Sequence, residues 1–475
     1  MNQIRLGLTF NDVLLVPKRT PLSSRTEADV KTKFTRNISL NIPLVSANMA
    51  TVTESRMAIA MARQGGLGVI HQFCTIEEQA EEVRQVKKST SYVIENPVSV
   101  PPQMTIGEGM MLMDHENVTS LLVKAGDELV GIFTSRDYLF ENDLTKRIAE
   151  VMTPQERLVT APFGIPLEEA KDILHKYRIE KLPLMQNEKV KGLITTQDIK
   201  KLEYWPNACR DEKGKLRVGA AVGVKDAVER GAALIDAGVD VLVFDIAHCH
   251  SDLAIQRLKE LKSTFKIDVM AGNIATGQGA KDLIEAGADG LKVGIGPSPV
   301  CTTRLISGSG IPQLTAIMDV YEVAKEHDVP VCVDGGMKYS GDITKALAAG
   351  ASTAFSGSLF AGTDESPGYI ITKDGKRYKR YMGSASYDSN HERKENLEGK
   401  KVKERLDVFV EGVSTLVDYK GAVEEVIKGL VKGLRSGISY CGGRTIDEMR
   451  KNAEFIQITG ASWEESKSHG AKLSD

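Results

Sequence analysis

Two stretches of the chain contain short apolar runs that alternate with segments of helical periodicity. In the first stretch, IPLVSANM at 42–49 and LGVIH at 67–71 read as strands, with a helix predicted over 53–63 between them. Six further apolar runs, separated by helical segments, follow at 217–223, 241–247, 268–274, 290–296, 331–336 and 353–359. Consecutive apolar positions are typical of parallel strands that are buried on both faces. Two plus six such strands predict a (β/α)8 TIM barrel of the α/β class.

The polar residues favour this barrel over a doubly wound sheet, which is the alternative for alternating strands and helices. Polar residues or glycines stand at the carboxyl ends of most predicted strands: Asn48-Met49, Asp245, Asn273, Gly294 to Gly296, Asp334 to Gly336, and Gly357-Ser358. A barrel builds its functional site from the carboxyl ends of many strands. We therefore expect one site at this rim.

An inserted segment between the second and third units repeats itself internally. SVPPQMTIGEGMMLM returns as TAPFGIPLEEAKDIL, and GIFTSRDY returns as GLITTQDI. The two signals share one offset of 61 positions: Pro101 with Pro162, and Gly131 with Gly192. Each copy resembles a CBS motif, and two copies resemble a Bateman module. We therefore predict a tandem CBS module at 93–204, inserted between barrel segments at 1–92 and 205–475.

A polar, basic segment at about 369–412 has few apolar residues to bury. Its composition fits either a plain surface loop or a mobile active-site flap. Long loops inside compact domains are usually functional, so we predict a flap. The chain beyond it, from DYKGAVEEVIKGLVKGLRSG, reads as one helix followed by a loose tail.

Composition narrows the classes of partner. A net charge of −3 over 475 residues gives no bulk attraction to nucleic acid or anionic lipid. No run approaches the roughly 18 apolar residues of a membrane span, so we expect neither a nucleic-acid nor a membrane partner. The six cysteines lie far apart without a C-x-x-C pair, which argues against a disulfide framework or a zinc site. A reducing, cytoplasmic location is expected.

Glycine-rich turns at the rim suggest a phosphate site. Asp334-Gly335-Gly336 and Gly357-Ser358 follow the seventh and eighth strands, where barrels concentrate phosphate-binding N–H groups. Asp334 is in position to accept hydrogen bonds from ribose hydroxyls, although an acidic residue there can also cap a helix. Together these residues predict a nucleoside monophosphate site.

Cys301 follows the sixth strand, within VGIGPSPVCTTR, on the same rim. A thiol held there can attack an electrophilic carbon of a base whose phosphate is bound nearby. Nearby N–H dipoles and the positive charge of Arg304 favour the thiolate. We predict that Cys301 is a nucleophile, whereas most of the other cysteines read as inert small hydrophobic residues.

The motifs together resemble the IMP dehydrogenase and GMP reductase family over nearly the whole chain. The matching segments are LTFNDVLLVP, the SANM strand, the CBS pair, GIGP…CTTR, DGGMKYSGDI, GSLFAGTDESPG and RYMGSAS. The resemblance implies a covalent adduct between Cys301 and purine C2 of GMP or IMP, and hydride exchange with a nicotinamide cofactor at that carbon. It also implies a homotetramer, which pairs into an octamer through the CBS module.

The resemblance further implies roles for individual residues. Thr303 and Glu365 would assist Cys301 in catalysis. The nucleotide would be bound by Ser46, Met49, Asp334, Gly335, Gly336, Gly357, Ser358, Met382, Gly383 and Glu411, with Glu411 at N1 of the base. Asp245 and Asn273 would face the cofactor, and the carbonyls of Gly294, Gly296 and Cys301 would bind a monovalent cation such as K⁺. The CBS module contains a T-x-x-D pattern twice, at Thr134 and Asp137 and at Thr195 and Asp198. In the family, this pattern contacts the ribose of an adenine or guanine nucleotide effector. Threonine and aspartate are also common helix N-caps, which is the alternative interpretation.

The choice between the two activities depends on the flap. Dehydrogenases of the family activate water with an Arg-Tyr pair after M-G-S, and no Arg-Tyr dipeptide occurs between Ser384 and Glu411. ANM at 47–49 and FVEGVST also resemble reductases, whereas TVTESRMA, GLGVIH and MGS resemble dehydrogenases. We therefore expect NADPH-dependent conversion of GMP to IMP and ammonia, with NAD-dependent oxidation of IMP to XMP as the alternative. A nucleotide-sensing CBS protein with an inactive barrel is a third hypothesis, against which the retained Cys301 argues.

Two residues depart from the family pattern. Pro299 removes one N–H and one hydroxyl donor near the predicted phosphate site. Lys379 stands three residues before Met382, where tyrosine is usual, and a lysine there can still pair with phosphate.

Overall fold

The computed structural model describes residues 4–89, 93–95, 97–116, 118–387 and 410–467, apart from the side chains of 198, 201 and 202. The chain divides into two compact units. The first comprises the described residues of Met1–Ser89, Asn207–Asp211 and Leu216–Asp475. The second comprises those of Thr90–Pro206 and Glu212–Lys215. Of the predicted flap, residues 388–409 lie outside the described part.

The first unit is built on a closed barrel of eight parallel strands. The strands are β1 (Leu44–Ser46), β2 (Leu67–Ile70), β3 (Gly219–Val222), β4 (Val241–Asp245), β5 (Asp268–Ile274), β6 (Gly290–Val293), β7 (Val331–Asp334) and β8 (Thr353–Ser356). They follow one another in chain order around the barrel, and β8 pairs with β1 to close it. The predicted (β/α)8 barrel is therefore confirmed.

Helices follow the barrel strands. They are α1 (Ser55–Arg63), α2 (Ile76–Lys88), α3 (Ala227–Asp236), α4 (Asp252–Thr264), α5 (Gly277–Glu285), α6 (Thr303–Ser307), α7 (Gln313–Ala324), α8 (Ser340–Ala348), α9 (Val423–Tyr440), α10 (Ile446–Asn452) and α11 (Gly460–Glu465). Gly238, Gly287 and Gly350 stop α3, α5 and α8 with positive φ values of 93°, 99° and 124°. An L-residue with a side chain rarely adopts this conformation, so glycine is the usual residue there.

The second unit contains two copies of one motif. Its strands are Val93–Glu95, Ser99–Val100, Ser120–Ala125, Glu128–Thr134, Thr153–Pro154, Ala161–Pro162, Lys181–Gln186 and Lys189–Thr195, and its α-helices are Ile106–His115, Ile148–Val151, Leu167–Tyr177 and Thr196–Glu203. The two hairpins, Ser120–Thr134 and Lys181–Thr195, are offset by 61 residues, as the sequence repeat predicts. Their register shifts at Val123/Lys124 and Leu184/Met185 are also 61 positions apart. The sequence repeat thus corresponds to a structural repeat.

Smaller elements complete the first unit. The strands are Val13–Leu15, Thr32–Lys33, Ser39–Leu40, Ile371–Lys373, Lys376–Met382, Ser414–Asp418 and Phe455–Gln457, and the 3-10 helices are Phe10–Asp12, Arg25–Glu27 and Lys325–His327. Val13–Leu15 pairs antiparallel with Phe455–Gln457. The predicted loose tail is therefore wrong up to residue 467, because this pairing and two short helices order it. No helix among the described residues is long and apolar enough to span a membrane.

The barrel interior is filled by large apolar side chains, including Phe34, Leu67, Met270 and Phe355. A second core lies between the barrel wall and the helices, and α1, α7, α8 and α9 contribute to it. The apolar runs predicted as strands are buried on both faces, since consecutive residues of β2, β3, β6 and β8 are all buried.

Gly68 is where α1 packs most closely on β2. A Cβ atom at this position would lie 2.4 Å from Ala58 Cα, which is backbone and cannot move aside. Gly68→Val is expected to lower the free energy of unfolding by about 2 kcal/mol or more through overpacking. Chemical denaturation checks this. Gly341→Ala in α8 is the matched control: nothing lies within 4 Å of its added methyl group, so stability should stay equal or rise.

Candidate active site

One cavity opens at the carboxyl ends of the barrel strands and has a volume of about 390 Å³. It is lined by residues at or just after the carboxyl ends of seven of the eight strands, together with Tyr381, the segment Gly383–Ala385 and the segment Glu411–Gly412. Among the predicted site residues, its lining includes Met49, Asp245, Asn273, Gly294, Gly296, Cys301, Thr303, Asp334, Gly335, Gly357, Ser358, Gly383 and Glu411. Most of the predicted site is therefore brought together at one rim.

The thiol of Cys301 is half-buried in this cavity, between β6 and α6. Its Sγ lies 3.2 Å from Thr303 Oγ1, and Thr303 Oγ1 donates to Glu411 Oε2 at 2.7 Å. The three side chains thus form a continuous hydrogen-bonded chain from the thiol to a carboxylate. Such an arrangement can move a proton to or from a nucleophile.

Backbone pairing brings Glu411 to this position. Thr302 N–H donates to Glu411 O at 2.8 Å, and Val413 N–H donates to Val300 O at 2.9 Å. Cys301 and Gly412 form the antiparallel bridge between these two bonds. The loop that carries the thiol and the segment after residues 388–409 are therefore joined as two short strands would be.

Glu365, which the resemblance pairs with Thr303, lies elsewhere. Its carboxylate accepts a hydrogen bond from Val423 N–H at 2.8 Å, at the first residue of α9, and it is absent from the cavity lining. A carboxylate at a helix N-terminus stabilises the helix because it satisfies a free N–H group and opposes the helix dipole. The structure thus pairs Thr303 with Glu411, and Glu365 caps a helix.

Two carboxylates and a lysine form the floor of the cavity. Lys292, on β6, donates to Asp245 Oδ1 at 2.7 Å and to Asp334 Oδ2 at 2.6 Å. Its own pKa is raised: burial alone would lower it, and the two carboxylates outweigh that effect. Asn48 Nδ2 donates to Asp245 Oδ2 at 2.7 Å, and Asn273 Nδ2 donates to Asp334 Oδ2 at 2.9 Å. Both carboxylates are therefore fixed by a cation and an amide.

Glycines and a tyrosine surround the predicted phosphate loops. Gly335 and Gly336 have φ values of 76° and 81°, and a Cβ at Gly335 would lie 3.6 Å from Ser298 Cβ. The Tyr381 hydroxyl lies beside Gly357, where it would be 2.6 Å from an added Cβ. Burial raises the pKa of Tyr381, whose hydroxyl bonds to the Ser298 side chain. Backbone N–H groups near flexible glycines suit an oxyanion.

Three predicted nucleotide-binding residues lie just outside the cavity lining. Ser46 is fully buried in β1, where its hydroxyl accepts from Thr53 Oγ1 at 2.9 Å. Met382 is buried, and its backbone N–H donates to Thr51 Oγ1 at 3.2 Å. Gly336 follows Gly335, which does line the cavity. Each of these residues is adjacent in sequence to a residue that lines the cavity.

The end of the cavity around Asp245 is where the sequence predicts the cofactor. Gln72, Phe73, Ile246 and Ala247 line it, and they combine aromatic and aliphatic surface with the carboxylate. Asn273, the other residue predicted to face the cofactor, donates from Nδ2 to Gly294 and Asp334, and its Oδ1 is buried without a hydrogen-bond partner among the described residues. A buried acceptor without a donor is costly, so a ligand donor at this position would be favoured.

The predicted cation loop is already hydrogen-bonded. The carbonyl of Gly294 accepts from Asn273 Nδ2 at 2.6 Å. Arg304 donates to the carbonyls of Ile295 and Ile311, at 3.1 Å and 2.6 Å. A carbonyl oxygen has two lone pairs, so the Gly294 carbonyl can still contact a cation, and the cation site stays a prediction. Burial lowers the pKa of Arg304, which lies within electrostatic range of Cys301.

The remaining sequence candidates are not among the residues that line the cavity. Lys379 is buried, and its ammonium donates to the carbonyls of Thr363 and Ser366, at 2.9 Å and 2.6 Å, so it does not face the phosphate loops. In the second unit, Asp137 accepts from the backbone and hydroxyl of Thr134, at 2.6 Å and 2.9 Å, which closes a local turn. Thr195 is buried at the end of its strand. The side chain of Asp198 lies outside the described part of the structure.

Sequence reasoning missed two features of the site. Lys292 was visible as the one charged residue in the apolar run GLKVG, but an isolated lysine in a strand does not reveal its partners. Glu411 was assigned to the base, and its bond to Thr303 depends on backbone pairing across 108 residues. Neither contact follows from spacing along the chain.

Comparison with known proteins agrees with this site. The family model described as the IMP dehydrogenase / GMP reductase domain matches residues 7–469. The chain is 51% identical to an inosine-5'-monophosphate dehydrogenase of Nitrosopumilus maritimus, over 99% of this chain and 100% of that protein. It is 46% identical to a GMP reductase of Leishmania donovani, over 98% and 96%.

A solved structure is also closely similar. It is a GMP reductase variant from Trypanosoma brucei in complex with guanosine 5'-monophosphate. Its TM-score is 0.87 at 42% sequence identity, and the match covers 99% of both chains. The chain therefore belongs to the IMP dehydrogenase and GMP reductase family, and is an oxidoreductase of purine metabolism.

Proposed function

We propose that this protein is a GMP reductase that uses NADPH to convert GMP to IMP and ammonia, with Cys301 as the nucleophile. The observation that carries the proposal is the chain of contacts from Cys301 through Thr303 to Glu411 in the rim cavity. The lack of an Arg-Tyr pair between Ser384 and Glu411 supports a reductase, since the family's dehydrogenases use that pair to activate water.

The first half of the reaction releases ammonia. Cys301 Sγ bonds to purine C2, and its proton passes by way of Thr303 to Glu411. The same proton then goes to the exocyclic amine, which leaves as ammonia with the electron pair of the C2–N bond. A carboxylate that is hydrogen-bonded to the relay hydroxyl is suited to hold this proton between the two steps.

The second half restores the thiol. When bound, the nicotinamide supplies a hydride to C2. The C2–S bond then breaks, its electron pair returns to Cys301, and the thiolate takes a proton from solvent. Asp245 and Asn273 would hold the cofactor ribose.

The nucleotide would be held along the rim. Asp334 would accept from the ribose, and the N–H groups of Gly336, Gly357 and Ser358 would bind the phosphate. Gly335 would line the site without donating, because its N–H donates to Phe355 O at 3.1 Å. The base would lie against Met49 and Gly383. The Tyr381 hydroxyl, beside Gly357 and Ser298, would offset the donor that Pro299 removes.

IMP dehydrogenase is the second candidate. The 51% identity with a relative of that name exceeds the 46% identity with the GMP reductase, which favours it. In that reaction the hydride would leave C2 for NAD, and water would cleave the adduct. We rank it second because the chain lacks the Arg-Tyr pair.

The family resemblance adds further features to this proposal. They are a K⁺ requirement at Gly294, Gly296 and Cys301, a homotetramer that pairs into an octamer, and a purine nucleotide effector at Thr134, Asp137, Thr195 and Asp198. We also propose that residues 93–204 form a tandem CBS module and that residues from about 369 to 412 form an active-site flap.

Assay of the two reactions decides between the candidates. With GMP and NADPH, we expect loss of reduced-cofactor absorbance and formation of IMP. With IMP and NAD, we expect no gain of absorbance. A gain there, without turnover of GMP, would show a dehydrogenase, and turnover of neither would favour the nucleotide-sensing hypothesis.

Cys301 is expected to be the first cysteine that iodoacetamide alkylates at pH 8. Burial raises the pKa of Cys74, Cys209, Cys249 and Cys332 to about 12, and also raises that of Cys441. These five thiols therefore stay protonated at pH 8 and react slowly. Peptide mass spectrometry measures the order of labelling, and GMP should protect Cys301. Equal labelling of Cys74 would contradict the assignment.

Glu411→Gln tests the proton relay. We expect kcat to fall by about 100-fold, because general acid–base catalysis contributes factors of this size. Glu365→Gln should keep kcat within about 3-fold while lowering stability by about 0.5 kcal/mol, because it removes a negative charge at the N-terminus of α9. Steady-state kinetics and thermal unfolding provide the two readouts. The reverse pattern would place the relay at Glu365.

A further inference from the structure

The barrel strand β6 places a lysine where the other strands place apolar residues. The side chain of Lys292 is 2% exposed, and its ammonium lies 4.9 Å from the centroid of the Phe355 ring. It reaches one carboxylate on each side, at the ends of β4 and β7. These two carboxylates belong to different parts of the proposed site, Asp245 to the cofactor end and Asp334 to the nucleotide end.

The hydrogen bonds determine which carboxylate oxygens remain for ligands. Lys292 and Asn273 both donate to Oδ2 of Asp334, and Oδ1 has no partner among the described residues. At Asp245, Lys292 occupies Oδ1 and Asn48 occupies Oδ2. Lys292 therefore fixes the rotation of both carboxylates, and Oδ1 of Asp334 stays open for a ligand.

One cation shared by two carboxylates also links their charges. The three groups carry a net charge of −1, and each carboxylate competes for the same ammonium. If Asp245 loses its charge, Lys292 is held by Asp334 alone. The ammonium then withdraws more negative charge from the oxygens that would accept from a ribose. A change in the charge of Asp245, at the cofactor end, therefore changes how strongly Asp334 accepts hydrogen bonds at the nucleotide end.

We propose that Lys292 is a positioning residue shared by the nucleotide and cofactor subsites, so that each subsite depends on the carboxylate of the other. This inference rests on the proposed assignment of Asp334 and Asp245 to the two ligands. It does not depend on whether the enzyme is the reductase or the dehydrogenase.

The first test measures an effect at a distance. In a Cys301→Ala background, which prevents adduct formation, Asp245→Asn should raise the Kd for GMP by about 5-fold in calorimetry without cofactor. Asparagine keeps the shape of the side chain, so the fold should be retained. An unchanged Kd, within 2-fold, would overturn the proposal.

The second test removes the lysine. Lys292→Gln should raise the KM of both the nucleotide and the cofactor by about 10-fold, with kcat changed less than about 3-fold, because a charge-assisted bond is lost at each carboxylate. Lys292→Arg restores the charge and should recover part of both KM values. A rise in only one KM, or a fall in kcat alone, would overturn the sharing of Lys292. If Lys292→Gln does not fold, the Asp245→Asn measurement still decides the question.

Lys87 offers a matched control. It is 8% exposed, and it also bridges two aspartates, Asp211 and Asp240, each at 2.8 Å. Asp240 directly precedes β4, so this triad lies at the opposite end of the barrel. Lys87→Met should lower stability and leave both KM values within 2-fold. If the wild-type protein neither binds nor converts GMP or IMP, the proposed function fails instead.

Discussion

Closure of the parallel sheet, by pairing of β8 with β1, is the constraint on which the rest of the molecule depends. Because the eight strands are parallel and the sheet is closed, all of their carboxyl ends lie at one rim. Residues as far apart in sequence as Met49 and Ser358 therefore line one cavity. Closure also encloses the strand side chains in a dry interior, where a single charged residue must find partners. Lys292 does so with Asp245 and Asp334.

A second constraint sets the chemistry of the thiol. The barrel alone places Cys301 at the rim, but the carboxylate partner comes from a segment 110 residues later in the chain. Pairing of Val300–Thr302 with Glu411–Val413 fixes the two backbones against each other. The separation between thiol, hydroxyl and carboxylate is therefore set by backbone hydrogen bonds, which vary less than side-chain rotamers.

The sequence was sufficient to predict the eight strands, the repeat and most of the cavity lining, because these follow from local patterns. Apolar runs identify buried strands, and Gly238, Gly287 and Gly350 identify helix ends. Contacts between distant side chains were not predictable in this way. Glu365 matched a family role by type, yet the structure uses it to cap α9. Lys379 was predicted to be able to pair with phosphate, but its ammonium donates to two backbone carbonyls instead.

The pairing of Val13–Leu15 with Phe455–Gln457 has a consequence for biosynthesis. The first strand of the chain cannot find its partner until almost the whole polypeptide has left the ribosome. β1 likewise cannot pair with β8 until about 300 more residues have been synthesised. Long-range pairings of this kind slow folding and leave strand edges open meanwhile. The described strands of the inserted unit pair over at most about 100 residues, as Gly192 does with Glu95, so this unit can acquire its structure while the barrel is still being translated.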